Sequence, residues 1–81
     1  MNEPLEQRVV RIVATSKGLD PGTISVETPM EDLGLDSLDG MSIIFDLENE
    51  FDVEIPDEAA ENARTVGDLV EGVRALIAAK N

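Results

Sequence analysis

Three segments of this chain repeat their apolar residues at helical spacing, and the central one governs the other two. Over 37–51, Leu38, Met41, Ile44, Leu47 and Phe51 recur every three or four positions. That period predicts one amphipathic helix with this set as its core stripe. Ile43 and Phe45 broaden the apolar surface, which implies neighbours on more than one side. The start of the helix is marked as well. Gly34 permits a tight turn, Asp36 is a good N-cap, and Asp39 follows three residues on, in the first turn. Ser37 therefore stands at the mouth of the helix, beside backbone N–H groups that have no partner within it. A phosphate on that hydroxyl would be stabilised by the geometry that makes helix N-termini anion sites. Gly40 is the weak point, costing about 1 kcal/mol against alanine in a helix interior.

The flanking segments complete a bundle. Leu5, Val9, Ile12, Val13 and Ser16 form one stripe over 5–16, opened by Pro4 and stopped by Lys17-Gly18. Arg8 and Arg11 are expected on its solvent face. At the other end, Thr65 and Asp68 have the spacing of a capping box. Val66, Leu69, Val70, Val73, Leu76 and Ile77 then give the most regular stripe in the chain. A short helix near 57–62 is announced by Pro56 and anchored by Ile55. Residues 19–35, broken by Pro21-Gly22 and Pro29, read as a long loop with room for short helical turns. Ile24, Val26, Met30, Leu33 and Leu35 would pin that loop across the helices. No segment alternates as a strand would. The expected fold class is all-α: a small four-helix bundle with three longer helices, one short helix and a long first loop. Residues 1–81 are expected to form a single domain.

Composition excludes most chemistry. The chain has no His, Cys or Tyr, so a catalyst would have to rest on carboxylates or a lone lysine in a deep cleft. Eighty-one residues of helix leave little room for one, and no enzyme is expected. Asp36, Asp39 and Gly40 suggest a calcium loop, but counting from Asp36 puts Leu38 and Gly40 at positions that need oxygen ligands. No metal site is expected. The formal net charge is −12, and no lysine or arginine occurs from Gly18 to Ala63. Such a field repels nucleic acid and anionic lipid and attracts basic protein surfaces. Carboxylates so crowded should also raise one another's pKa values in the folded state, which would favour folding as pH falls. No apolar run approaches the roughly 20 residues of a membrane span. The N-terminus lacks the basic start and apolar stretch of a secretory signal. A monomer in the cytoplasm is the default expectation.

A longer pattern gives these fragments a context. Asp32-Leu33-Gly34, Asp36-Ser37-Leu38-Asp39, the acidic helix to Phe51, Glu54-Ile55-Pro56-Asp57-Glu58 and Thr65-Val66 follow one another without an obvious gap. In this order the chain resembles the bacterial acyl carrier proteins over most of its length. The resemblance implies that Ser37 carries a covalent 4′-phosphopantetheine arm, whose thiol holds acyl groups as thioesters. It implies a phosphopantetheinyl transferase that reads Asp36 and Leu38. Acyl-transferring and chain-elongating enzymes with basic docking surfaces would read Asp39, Met41, Asp46, Glu48 and Glu50. It further implies an acyl pocket lined by Ile44, Phe45, Leu47, Val66 and Leu69, with Phe45 as a wall at its mouth. Two departures bear on the pathway. Gly40-Met41-Ser42-Ile43 stands where fatty-acid carriers usually have Thr-Val-Glu-Leu, and Phe45 replaces a common methionine. Fatty acid biosynthesis is the expected pathway, and a carrier specialised for polyketide, lipid or peptide-like cargo is the alternative. From another class, a non-enzymatic acidic interaction module would share the fold without using Ser37.

Overall fold

The computed structural model describes residues 3–80. Helix α1 spans Leu5–Lys17, α2 Ser37–Phe51, α3 Asp57–Asn62 and α4 Val66–Lys80, with 3-10 turns at Pro21–Thr23 and Met30–Leu33. Among the described residues the only ladder contact is an isolated bridge between Pro29 and Thr65. The expected bundle of three longer helices and one short one is what forms.

Local chemistry sets the boundaries. Gly18 ends α1 in the left-handed region at φ 71°. The Leu19 N–H reaches back to the Ala14 carbonyl at 2.8 Å and the Gly18 N–H to Thr15 at 3.3 Å, the paired bonds of a Schellman stop. At the end of α2 the same left-handed position is held by Asp52, at φ 54°. Aspartate tolerates this conformation better than most side chains. The Nζ of Lys80 donates to the Asp52 carbonyl at 2.6 Å and to its carboxylate at 3.1 Å, tying the end of α4 to that corner.

One apolar core joins the three long helices. Helix α1 contributes Val9, Val13 and Ala14, α2 Ile43, Leu47 and Phe51, and α4 Val66, Leu69, Val70 and Val73, with Ile24 and Val53 closing the edges. Helix α1 packs on both α2 and α4. Burial of each Val, Leu, Ile or Phe contributes about 1.5–3 kcal/mol, so the inward face of α2 is the one that holds Ile43 and Leu47.

That face corrects the expected stripe. Leu38 and Met41 were assigned to the core of α2 by their spacing, yet they stand 73% and 69% exposed, and Phe45 is 64% exposed. The true inward set is Ile43, Leu47 and Phe51 with Ile44 at its edge. Both sets satisfy helical spacing; tertiary packing chooses between them. Arg8 is also displaced from its expected solvent position. It is half-buried, with its guanidinium 4.6 Å from the centre of the Phe51 ring. Its Nε donates to Glu50 at 3.2 Å, so α1 grips the last turn of α2.

The long loop is strapped down by backbone bonds. The Met30 N–H donates to the Arg64 carbonyl at 2.7 Å, Val66 to Thr28 at 3.0 Å and Gly67 to Val26 at 2.7 Å. The last two satisfy donors at the start of α4 that the helix itself cannot. They also hold the loop so that its second 3-10 turn feeds directly into the start of α2.

Candidate functional site at the start of the second helix

The 3-10 turn Met30–Leu33 ends at Gly34, whose φ of 67° would strain any side chain, and two residues later the chain enters α2. Asp36 is extended, with φ −101° and ψ −173°, as an N-cap residue should be. Its Oδ1 accepts the Asp39 N–H at 2.8 Å, and Asp39 Oδ2 in return accepts the Asp36 N–H at 3.2 Å. The expected cap is therefore a complete capping box. The Nζ of Lys17, the last residue of α1, donates to Asp39 Oδ2 at 3.0 Å. That bond, with the Asp36 N–H behind it, holds the Asp39 carboxyl below its ordinary pKa.

Ser37 is the first residue of α2 and is exposed. Among the described residues no group hydrogen-bonds its hydroxyl. The box occupies the N–H of Asp39, and the first-turn N–H groups of Ser37 and Leu38 have no acceptor within the helix. The result is an exposed hydroxyl at the positive end of a fifteen-residue helix dipole. The carboxylates nearest to it in the chain, those of Asp36 and Asp39, are engaged in the capping box, and that of Asp39 also by Lys17.

Leu38, Met41 and Phe45, at i, i+3 and i+7, run from Ser37 along the outer face of α2 as an exposed apolar strip. Around it the expected recognition acids have different fates. Asp46 is exposed and borders a groove against α1 with Arg11, Ile12, Thr15, Asn49 and Glu50. Asp36 and Asp39 serve the cap, and Glu50 is held by Arg8. Glu48 turns inward, where its Oε2 accepts the Ile55 N–H at 2.8 Å. The sequence marks Asp36 and Asp39 as cap residues, but it gives Asp39, Asp46, Glu48 and Glu50 alike as charge for basic partner surfaces. The separation between the residues of each bond, 42 for Arg8 to Glu50 and 22 for Lys17 to Asp39, left no local signal of their engagement.

Of the expected acyl-pocket residues, Leu47, Val66 and Leu69 are buried together and Ile44 packs against them. Phe45 does not join them. Its ring is exposed and is not among the residues packed on the core.

The family model described as the phosphopantetheine attachment site matches residues 7–73, which include every element from α1 to the middle of α4. An acyl carrier protein of Clostridium acetobutylicum is 44% identical over 70 residues, covering 85% of this chain and 91% of that one. The chain belongs to the acyl carrier protein family. It is a carrier and no catalyst, and its cofactor is phosphopantetheine. It interacts with a phosphopantetheinyl transferase and with acyl-handling enzymes. Solved carriers share the fold. The crystal structure of an acyl carrier protein from Thermotoga maritima superposes with a TM-score of 0.79 at 30% identity, covering 91% of this chain and 87% of that one. The solution structure of the acetyl actinorhodin acyl carrier protein from Streptomyces coelicolor gives 0.76 at 28% identity, covering 94% and 93%. Among the described residues no helix of this carrier is long and apolar enough to cross a membrane.

Proposed function

We propose that Ser37 carries the arm and that residues 1–81 act as one carrier domain in the cytoplasm, as a monomer. The observation that carries this reading is the exposed, unengaged Ser37 hydroxyl at the first position of a boxed helix. Once attached, the phosphate diester would lie beside the free N–H groups of Ser37 and Leu38, where the helix dipole stabilises it. Asp36 and Leu38 flank the serine and would be read by the transferase. The strip of Leu38, Met41 and Phe45 gives partner enzymes an apolar contact, and exposed acids such as Asp46 match basic rims. The acyl chain would find its shelter in the core beside Ile44, Leu47, Val66 and Leu69, with Phe45 outside. The pathway that fits is fatty acid biosynthesis.

The test is intact mass and peptide mapping after incubation with coenzyme A and a broad-specificity phosphopantetheinyl transferase. One arm should appear on Ser37, and Ser37→Ala should take none while keeping the helical signal. An arm on Ser25 or Ser42, or no arm at all, removes the assignment.

A second reading rests on Phe45 and Ser42. Both lie on the exposed face of α2 that partners would touch, and both depart from the fatty-acid pattern. A carrier specialised for polyketide, lipid or peptide-like cargo would use that altered face to choose its enzymes. Equal acyl loading of the unaltered protein and Phe45→Met by a fatty-acid malonyl transferase would argue against specialisation at this position.

A further inference from the structure

A phosphodiester on Ser37 adds a negative charge to a corner that already holds several. Asp36 and Asp39 stand there as the capping box. Helix α1 brings its negative C-terminal end to the same place, because its last residue bonds to the first turn of α2. The positive end of α2 offsets part of this, and the side-chain cation bound at the corner is Lys17. The other ion pairs among the described residues lie elsewhere. Arg8 holds Glu50 and Lys80 holds Asp52 at the far end of α2, Arg11 holds Glu3, and Arg74 holds Glu71 within α4.

The contact of Lys17 is closer to the arm than its place in the sequence suggests. Asp39 Oδ2 accepts both the Lys17 ammonium at 3.0 Å and the Asp36 N–H at 3.2 Å. The ammonium therefore stands within two hydrogen-bond lengths of the Asp36 amide, and Ser37 is the next residue. The two side chains are 35% and 23% exposed, so water screens the pair less than it does a loose surface pair. An ammonium has three donors, and among the described residues Asp39 takes one of them.

We propose that Lys17 is the counter-ion of the arm, its ammonium shared between the Asp39 carboxylate and the phosphodiester on Ser37. The proposal rests on the reading that Ser37 carries the arm. Lys17 is then a positioning residue. It offsets the repulsion between the diester and the two cap carboxylates, and it holds the root of the arm at the junction of α1 and α2. A lysine suits this as a compact charge that can face two acceptors at once.

Urea unfolding of the apo and holo forms, each with and without Lys17→Met, makes a closed cycle. Methionine keeps an unbranched apolar stem and removes the charge. The substitution should lower the midpoint of both forms, and about twice as far in the holo form. Arg11→Met, on the same helix but paired with Glu3, should lower the two forms equally. Equal losses for Lys17→Met overturn the proposal, because Asp39 then accounts for the whole effect. A matching excess in Arg11→Met overturns it too, since net charge alone would be the cause. The phosphorus-31 resonance of the arm supplies a readout that a merely structural role would not move. Its displacement between folded and urea-unfolded holo protein should shrink in Lys17→Met and be kept in Lys17→Arg. An unchanged displacement in Lys17→Met overturns the proposal even where stability falls. Peptide mapping separates the two readings beforehand. An arm found away from Ser37 overturns the attachment site and this proposal together, whereas an arm on Ser37 with equal losses overturns the role of Lys17 alone.

Discussion

Phe45 and Leu47 lie two positions apart on α2 and face opposite media, the first 64% exposed and the second fully buried. An exposed ring has little area to lose on truncation. Phe45→Ala is therefore expected to lower stability by less than about 1 kcal/mol, where truncation of a buried ring costs about 3–5. Leu47→Ala removes buried methyl groups and leaves a cavity in a close-packed core, so it should cost about 2–5 kcal/mol. Urea unfolding of the two variants checks both. A loss of 3 kcal/mol or more in Phe45→Ala would mean that the ring is core after all. An exposed phenyl ring retained at such a position points to a surface used by other proteins. At this scale the apolar period of α2 announced a helix but not its orientation, since 38/41/44/47 and 43/47/51 are equally good stripes.

The elements themselves were more legible, because their ends are written in local chemistry. Asp36 with Asp39, Thr65 with Asp68, Pro56, and Lys17-Gly18 each act within a few residues, and each marks a boundary within a residue of where the helix begins or ends. What stayed hidden were bonds between more distant positions: the Ile55 N–H on Glu48, Arg8 on Phe51, Lys17 on Asp39, and the strap between the long loop and α4. The strap explains Gly67, which the sequence reading passed over. A Cβ there would stand 2.9 Å from the Val26 carbonyl oxygen, a backbone atom that cannot swing aside. Gly67→Ala should therefore destabilise by about 1–3 kcal/mol and speed exchange of its own amide. Gly72 lies inside the same helix with nothing within 4 Å of its would-be Cβ. There alanine should stabilise by about 0.5–1 kcal/mol, through the backbone entropy glycine loses on folding. Opposite signs for the same substitution in one helix are the check, read from urea midpoints.

Across the whole molecule, a net charge of −12 suggested carboxylates that push one another's pKa upward. Among the described residues the carboxyls displaced from their ordinary values, Asp39 and Asp68, move the other way. Asp39 is lowered by the Lys17 ammonium and then by the Asp36 N–H. Asp68 is lowered by the backbone N–H groups of Arg64 and Thr65, at 2.8 and 3.1 Å, which its Oδ2 accepts. Short contacts to donors outweigh diffuse repulsion that water and salt screen. The sign of the pH dependence follows. A carboxyl whose folded pKa lies below its unfolded one binds fewer protons in the native state, so its contribution is in force above the ordinary value of 3.8. That contribution fades as pH falls through the lowered folded value. Repulsion among the remaining acids is common to every variant and cancels in a difference. The urea midpoint of the unaltered protein minus that of Asp39→Asn, or of Asp68→Asn, should thus be positive and level from pH 7 to about 5, and shrink below about 4. Lys17→Ala should lower the plateau for Asp39 and leave that for Asp68 unchanged, because the two caps sit on different helices. A difference that grows on acidification would mean that crowding, and not the caps, sets the ionisation of these two residues.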